Sequence, residues 1–311
     1  MSTTSCCSRA VMSLKRVLSI QSHVVSGYVG NKAATFPLQV LGYDVDAINS
    51  VQFSNHTGYE HIRGQVLQSD ELRVLFEGLE MNNIHKYSHL LTGYCGSESF
   101  LREIVTVLKK LREANPNLVY VCDPVLGDHG KYYVPESLLP IYRDELLPFA
   151  DIITPNQFEA ELLSGMKIDT EEDAMKAITL LLEKGPKTVV LTSCVFKDEN
   201  QLVLLGADKQ NPTEFVRMEV TKLGTHFTGT GDLFSSMFLA WYHQYPGDLK
   251  TSCEHTLSAM RQILDTTLSH GQLLAGPGKT PSAAQIELRL VDCVDVIRTP
   301  GSAVKAQVVN L

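Results

Sequence analysis

The sequence predicts an α/β protein with a mainly parallel central sheet. Short apolar strands alternate with helical stretches nearly from end to end of the 311 residues. The segment LVYVCDP at 118–124 is almost continuously apolar, as is typical of strands buried on both faces of a parallel sheet. No stretch between elements is rich enough in Gly, Pro or Ser to be an interdomain linker, so we expect one domain over residues 16–311.

The first half of the chain contains strands and helices in alternation. Leu101, Ile104, Val105, Leu108 and Leu111 fall on one stripe at spacings of three and four, which predicts an amphipathic helix that covers one face of the sheet. The predicted strands are RVLSIQ at 16–21, DVDAINSV at 44–51, YSHLLTGY at 87–94 and LVYVCDP at 118–124, and the predicted helices span about 31–41, 69–81 and 98–113.

Two capping boxes mark helix starts in the second half, Asn156 with Glu159 and Thr170 with Asp173. The segments QLVLLG at 201–206 and EFVRMEV at 214–220 are separated by short polar links, which predicts antiparallel strands at one edge of the sheet. The remaining predicted elements are strands at 151–154 and 188–193, helices that follow the two capping boxes, and helices at 233–245, about 251–270 and 281–290.

Composition excludes several classes of protein. Hydrophobic residues make up 44% and charged residues 20%, as in globular proteins. The net charge is -8, and no run of basic residues is long enough to bind along a phosphate backbone, which argues against nucleic acid as a partner. Apolar runs are far shorter than the ~20 residues of a membrane span. The seven cysteines are scattered and odd in number, which favours a reducing compartment, and we expect a cytoplasmic protein.

The first 15 residues predict a disordered leader. This stretch is rich in Ser, and the first acidic residue of the chain is Asp44, so a transit peptide remains an alternative. Ser2 stands where N-myristoylation requires glycine, which excludes that lipid anchor.

Polar residues follow the predicted strands at the edge where ligands bind in open parallel sheets. We therefore expect a ligand site at the carboxyl ends of these strands. The residues are Ser22 and His23, Gly93 and Tyr94, Asp123 and Asp128, Thr154 and Asn156, and Thr192 and Ser193.

The strongest local signal is Gly229-Thr230-Gly231-Asp232 at the start of an apolar helix. The glycines let the backbone approach a ligand closely, and the free N–H groups of a helix start form an anion site. Asp232 beside such a site suits phosphoryl transfer to a hydroxyl group, with the carboxylate as proton acceptor. An ordinary turn with an acidic helix start remains the alternative. The sequence has no G-x-x-x-x-G-K-[ST] and no G-x-G-x-x-G after a strand, which excludes Walker-type and dinucleotide sites.

A phosphoryl-transfer site also needs carboxylates for Mg²⁺, which prefers one or two of them together with phosphate oxygens. Asp123, Asp128 and Glu159 are the candidates. Glu159 could be only the capping-box partner of Asn156, and Asp128 could be only a turn residue.

Six ordered blocks of the sequence resemble the pyridoxal kinases of the ribokinase superfamily. They lie at 19–59, 91–94, 119–128, 151–165, 190–193 and 229–234. The resemblance implies a ribokinase-like, three-layer α/β/α sandwich that works as a homodimer. It also implies ATP-dependent phosphorylation of the 5′-hydroxymethyl group of pyridoxal, pyridoxine or pyridoxamine, with Mg²⁺ or Zn²⁺ and with K⁺ or Na⁺ as cations.

The resemblance also implies roles for individual residues. Asp232 matches the proton acceptor, and Gly229, Thr230 and Gly231 match the anion hole. The vitamin side is matched by Ser22, Val29, Val51, Phe53, Thr57, Tyr94 and Tyr133. The ATP side is matched by Asp123, Asn156, Gln157, Phe158, Glu159, Thr192, Ser193, Leu223, Gly224, Thr225 and Thr230. Positions near the cations are matched by Asp128, Thr154, Thr192 and Glu159.

Several points stay open at this level. His56 could stack on the vitamin ring or be an uninvolved loop residue. The segment between Asp128 and Tyr132 is shorter than the lid expected in vertebrate members, which puts coverage of ATP in doubt. A hydroxymethylpyrimidine kinase of the same superfamily and a non-catalytic carrier of pyridoxal phosphate are alternative functions, and transfer of product to apoenzymes is a further expectation.

Overall fold

Strands and helices alternate along the part of the chain that the structure describes. This structure is a computed structural model, and it describes residues 15–310. The strands are β1 (Arg16–Val24), β2 (Asp44–Phe53), β3 (Gly64–Val66), β4 (His89–Thr92), β5 (Val119–Cys122), β6 (Gly127–Asp128), β7 (Lys131–Tyr132), β8 (Ile152–Ile153), β9 (Thr188–Cys194), β10 (Gln201–Asp208), β11 (Glu214–Thr221) and β12 (Gln307–Asn310). The α-helices are α1 (Asn31–Val40), α2 (Ser69–Met81), α3 (Glu98–Ala114), α4 (Leu138–Ile141), α5 (Gln157–Ser164), α6 (Glu171–Glu183), α7 (Thr230–Gln244), α8 (Leu249–Ala275) and α9 (Val294–Arg298).

The main sheet has a parallel centre and antiparallel edges. Its strand order is β12-β11-β10-β9-β8-β5-β4-β1-β2-β3, and the strands from β9 to β2 are parallel. The predicted antiparallel placement of β10 and β11 is confirmed. The edge strands β3 and β12, which the sequence did not reveal, are also antiparallel to their neighbours. The carboxyl ends of the parallel strands therefore meet along one edge.

Helices cover both faces of this sheet, which confirms the three-layer α/β/α sandwich. Successive residues of the central strands point to opposite sides, as in Leu90 and Leu91 of β4, and each side has its own apolar core. One core contains buried residues of α2, α3, α4, α5 and α6, and the other contains buried residues of α1, α7, α8 and α9. β6 and β7 form a separate hairpin outside the main sheet.

The helix predicted at 281–290 is wrong. The chain makes a short 3-10 turn at Ala283–Gln285 and then runs without a helix to a second turn at Val291–Cys293. The buried residues of the stretch between the turns are Ile286, Leu288 and Leu290. Their spacing of two is that of an extended segment laid against the core and not that of a helix.

The predicted leader, residues 1–15, lies outside the described residues except for Lys15. Among residues 15–310, no helix is both long and apolar enough to cross a bilayer.

Candidate active site

The Gly229–Asp232 segment lies where α7 meets the end of β1. Gly229 precedes α7 in the left-handed conformation, with φ of 85°. A Cβ atom at this position would overlap the carbonyl oxygen of Tyr28, in the loop between β1 and α1. Glycine is therefore required at position 229 for two reasons: the positive φ, and the close approach of the β1–α1 loop (residues 25–30).

Asp232 is held by a backbone amide from this loop. The Gly30 N–H donates to Oδ2 of Asp232 over 2.8 Å, although the two residues are 202 positions apart. Burial raises the pKa of Asp232 above its ordinary value, and the Gly30 hydrogen bond partly offsets this rise because it favours the charged form. The carboxylate is thus oriented and made more basic than an exposed aspartate.

Gly30 was not among the predicted site residues. Its φ is 53°, and a Cβ atom would overlap the carbonyl oxygen of Ser22 at the end of β1. The string SGYVGN before a helix was a usable signal, since a glycine at a helix start often marks a backbone amide that faces a ligand or a catalytic group.

The first turn of α7 supplies unpaired amides beside Asp232. The first N–H groups of an α-helix have no partner within the helix and lie at its positive end. Gly229 provides no side-chain cap to satisfy them. Thr230 and Gly231 line a large cavity next to this helix start. An anion in the cavity can therefore reach these amides.

Asp123 and Glu159 are buried acidic residues near Asp232. Asp123 follows β5, is 5% exposed and accepts a hydrogen bond of 3.2 Å from the Ser235 hydroxyl on α7. Burial first, then the negative charges of Glu159 and Asp232, raise the pKa of Asp123. Thr154, which follows β8, is within 2.8 Å of the Ser235 oxygen. Ser235, which the sequence analysis missed, thus connects α7 to the ends of β5 and β8.

Glu159 both caps α5 and supports the loop after β5. Its Oε2 accepts the Asn156 N–H over 2.9 Å, as the capping box predicts, and its Oε1 accepts the Leu126 N–H over 3.0 Å. Burial raises the pKa of Glu159 to about 8, against the opposing effect of these amides. Asp128 accepts the N–H of His129 in a tight turn and lies on the cavity wall. Asp128 therefore combines a structural role with a place on the cavity wall, whereas Glu159 has its structural role and does not line the cavity.

The cavity beside α7 has a volume of about 650 Å³, within the range of small-molecule sites. Its wall brings together nine of the predicted residues. These are Asp128, Gln157, Phe158, Thr192, Ser193, Leu223, Thr225, Thr230 and Gly231. The sequence did not reveal the basic residues Lys167, Lys222 and Arg261 or the apolar residues Phe234, Leu257, Met260 and Leu264 of the same wall.

The predicted vitamin-side residues lie at or after the carboxyl ends of β1, β2 and β4, except Tyr133, which follows the β6–β7 hairpin. Ser22 lies next to a register shift between β1 and β2, close to the pairing of Val24 with Phe53. The Ser50 hydroxyl donates to the Tyr94 carbonyl over 2.7 Å, which fixes the end of β4 against β2. Burial and exposure differ among these residues: Val29 and Val51 are buried, Ser22, Phe53 and Tyr94 are half-buried, and Thr57 and Tyr133 are exposed.

Comparison with known proteins identifies the family. The family model described as phosphomethylpyrimidine kinase matches residues 42–277. Pyridoxal kinase of Sus scrofa is 53% identical over 306 residues, covering 94% of this chain and 95% of that protein. The chain belongs to the pyridoxal kinase family. Pyridoxal kinase of Arabidopsis thaliana is 48% identical over 296 residues, with 94% of each chain covered.

Solved structures of the pyridoxal kinase family agree with this fold. The pyridoxal kinase of Leishmania donovani in complex with ADP and pyridoxamine has a TM-score of 0.87 and 35% identity, covering 95% of this chain and 99% of that one. A second structure of the same protein, with ADP and pyridoxine, superposes equally well. The ribokinase-like fold class is thereby confirmed.

We expect a Gly30→Ala substitution to disable the site. The added Cβ would displace the amide from Asp232, and small misplacements of catalytic groups cost about 100-fold in kcat/KM. Steady-state kinetics would measure this loss. Gly42→Ala is the matched control, because Gly42 also has a positive φ of 86° but open space around its Cβ position. The control should lose only about 1 kcal/mol of stability, and equal kinetics of the two variants would contradict the assignment.

Proposed function

We propose that this chain transfers the γ-phosphoryl group of ATP to the 5′-hydroxymethyl group of pyridoxal, pyridoxine or pyridoxamine. The observation that carries the proposal is the Asp232 carboxylate, oriented by the Gly30 amide at the start of α7 and next to a cavity large enough for a nucleotide. Membership of the pyridoxal kinase family supports it. The Leishmania relative was solved with ADP together with pyridoxamine or pyridoxine.

Asp232 acts as the general base in this proposal. The hydroxymethyl oxygen attacks the γ-phosphorus as its proton moves to the carboxylate, and ADP leaves with the electrons of the broken P–O bond. The amides of Gly229, Thr230 and Gly231 stabilise the negative charge on the oxygens of the moving group. Burial raises the basicity of Asp232, which favours acceptance of the proton.

The vitamin binds at the carboxyl ends of β1, β2 and β4. Ser22 and Thr57 hydrogen-bond to polar atoms of the ring, and Val29, Val51, Phe53 and Tyr94 form its apolar contacts. Tyr133 follows the β6–β7 hairpin, is exposed, and approaches the phosphate when the hairpin closes over the site.

The nucleotide occupies the large cavity. Phe158, Leu223 and the apolar wall of α7 and α8 contact the base, and Thr192, Ser193, Thr225 and Thr230 bind polar atoms. Lys222 adds a positive charge to the same wall, whereas Arg261 is paired with Asp265 over 2.9 Å. The remaining residues support this pocket: Asp123, Asn156, Gln157, Glu159 and Gly224.

The acidic residues fit a magnesium ion. Asp123 and Glu159 are buried and repel each other, and the pKa of Glu159 is raised to about 8, so a bound cation would relieve an unfavourable charge arrangement. The described residues contain no group of three or more His, Cys, Asp or Glu side chains able to hold a metal. One or two carboxylates suffice for Mg²⁺ when phosphate oxygens and waters complete its shell, whereas Zn²⁺ sites use three or four protein ligands.

Four residues would hold the cations: Asp128 and Glu159 near Mg²⁺, and Thr154 and Thr192 near K⁺ or Na⁺. When bound, Mg²⁺ neutralises charge on the β- and γ-phosphates. Thr154 and Thr192 carry hydroxyl oxygens, which suit a monovalent ion.

Two alternative functions predict results that differ from those of the proposed kinase. A hydroxymethylpyrimidine kinase would turn over the pyrimidine alcohol in preference to pyridoxal, and the description of the matching family model motivates this comparison. A non-catalytic carrier of pyridoxal phosphate needs no base beside the hydroxyl group, so the oriented Asp232 speaks against it. Release of product directly to apoenzymes is a separate proposal, tested by whether a trap for free pyridoxal phosphate stops activation of an apoenzyme.

We expect Asp232→Ala to lose at least ~1000-fold in kcat, because Asp232 is the carboxylate that the Gly30 amide orients at the start of α7. The Kd for ATP should stay near that of the wild-type protein, since the nucleotide cavity is lined by other side chains. Kinetics and calorimetric titration measure the two effects. Activity within about tenfold of wild type, only ~1.4 kcal/mol of barrier, would exclude Asp232 as the essential base.

We also propose a single domain over residues 16–311 that forms a homodimer in the cytoplasm. The described cysteines are buried free thiols, which suits a reducing compartment. Exposed large apolar side chains are concentrated around β3 and α2, on one edge of the sheet, and this patch suits a subunit interface. Its residues are Val66, Val74, Leu75, Met81 and Ile84.

The combined substitution Val74→Lys and Met81→Lys should convert the dimer to a monomer, since charges would enter the interface. Sedimentation velocity measures the change. Leu273→Lys is the control, because Leu273 is 80% exposed at the far end of α8. A wild-type monomer, or a variant that remains dimeric, would contradict this proposal.

A further inference from the structure

Glu287 is a largely buried carboxylate outside the predicted site. It lies in the extended stretch after α8, between the buried side chains of Ile286 and Leu288. These neighbours fix the backbone against the core. Only 17% of the Glu287 side chain is exposed, and its carboxylate faces the loops that follow β1 and β2.

One carboxylate oxygen holds the β1–α1 loop. The Tyr28 N–H donates to Oε2 of Glu287 over 3.1 Å, across 259 positions of sequence. A Cβ atom on Gly27 would overlap the same carboxylate. On its other side, the Tyr28 carbonyl is in close contact with Gly229 at the start of α7. The Tyr28 peptide is therefore held between Glu287 and Gly229, two positions before the amide of Gly30.

The other oxygen holds the β2–β3 loop (residues 54–63). The Tyr59 hydroxyl donates to Oε1 over 2.9 Å, and Nε2 of His56 lies 3.2 Å from the same oxygen. The Gly58 N–H donates to Nδ1 of His56 over 3.0 Å, so Nε2 is the ring nitrogen that carries a proton toward Glu287. His56 is thus buried in a network that fixes the loop carrying Thr57.

The charge of Glu287 is stabilised by these donors. Burial works against ionisation, but the hydrogen bonds from His56 and Tyr59 outweigh it and hold the pKa of Glu287 below its ordinary value. A buried carboxylate with three donors in place is strongly oriented, because moving it would leave each donor without a partner.

We propose that Glu287 is a positioning residue for phosphoryl transfer, which fixes the Gly30 amide and Thr57 relative to each other through the two loops. This inference rests on the proposed function. In this proposal, Glu287 positions residues of the vitamin half of the site and does not affect the nucleotide half. Its three partners, Tyr28, His56 and Tyr59, do not line the nucleotide cavity.

Glu287→Gln is the informative substitution, because it preserves size and removes one acceptor. With its oxygen toward Tyr59 and His56, the amide group would point its N–H atoms at the Tyr28 N–H. With its oxygen toward Tyr28, the amide would face the proton of His56. Each orientation places a donor against a donor, so one of the two loops must shift.

The matched control is Glu254→Gln on α8. The Glu254 side chain is 18% exposed, pairs with Lys305 over 3.2 Å and accepts the Ala306 N–H over 3.0 Å, far from both loops along the chain. The two variants thus lose comparable carboxylates. We expect Glu287→Gln to lower kcat/KM for pyridoxal by at least ~10-fold, with KM for ATP unchanged, and Glu254→Gln to leave both values at the wild-type level.

The outcomes separate the proposals. Wild-type protein that does not phosphorylate pyridoxal contradicts the proposed function, and the variants are then compared with the alcohol that it does phosphorylate. Unchanged kcat/KM in Glu287→Gln, or an equal rise in KM for ATP, overturns the positioning role. If Glu287→Gln does not fold, Tyr59→Phe decides: it removes one donor, and we expect KM for pyridoxal to rise about threefold with kcat retained. An unchanged KM in that variant also overturns the inference.

Discussion

The hydrogen bond from the Gly30 amide to Asp232 is the contact on which the site depends. It joins the loop after a central strand to the first turn of α7 across 202 residues. β1 pairs with β2 on one side and β4 on the other, so its carboxyl end has a fixed place in the sheet. α1 and α7 share one apolar core and are packed against each other. Asp232 lies in the first turn of α7 and Gly30 directly precedes α1, so the carboxylate and its amide are held at the starts of two helices that pack together.

Buried acidic groups and the positive end of a helix lie close together around this contact. Asp123, Glu159 and Asp232 gather negative charge that burial makes unfavourable, and the raised pKa of each carboxyl reflects that cost. The N-terminus of α7 provides positive potential at the same edge, and Lys222 adds a positive charge to the cavity wall. A site of this kind stabilises a phosphoryl group and its cation together, because each compensates the charge of the other.

Local patterns predicted much of the fold and of the site. The capping box of Asn156 and Glu159 depends on a few adjacent residues, and the structure confirms this prediction. The carboxyl-end rule predicted three residues of the cavity wall, Asp128, Thr192 and Ser193. The helix-start motif predicted Thr230 and Gly231, and the family resemblance predicted the other four of the nine. The roles of those residues stay predictions.

The residues that sequence reasoning missed act over long separations. Gly30 meets Asp232 across 202 residues, Ser235 meets Asp123 across 112, and Tyr28 meets Glu287 across 259. No local periodicity encodes such contacts, because they arise only when the sheet brings strand ends together. The incorrect helix at 281–290 has the same origin, since tertiary packing of Ile286 and Leu288 in an extended segment overrides local helical preference.

The titration of Asp232 tests the central claim most directly. Infrared difference spectra of the wild-type protein against Asp232→Asn would isolate its carboxyl band across pH. The account predicts a midpoint above that of an exposed aspartate and a further rise in Gly30→Ala, since the lost N–H favoured the charged form. A midpoint at the ordinary aspartate value, or one that does not respond to Gly30→Ala, would contradict the account.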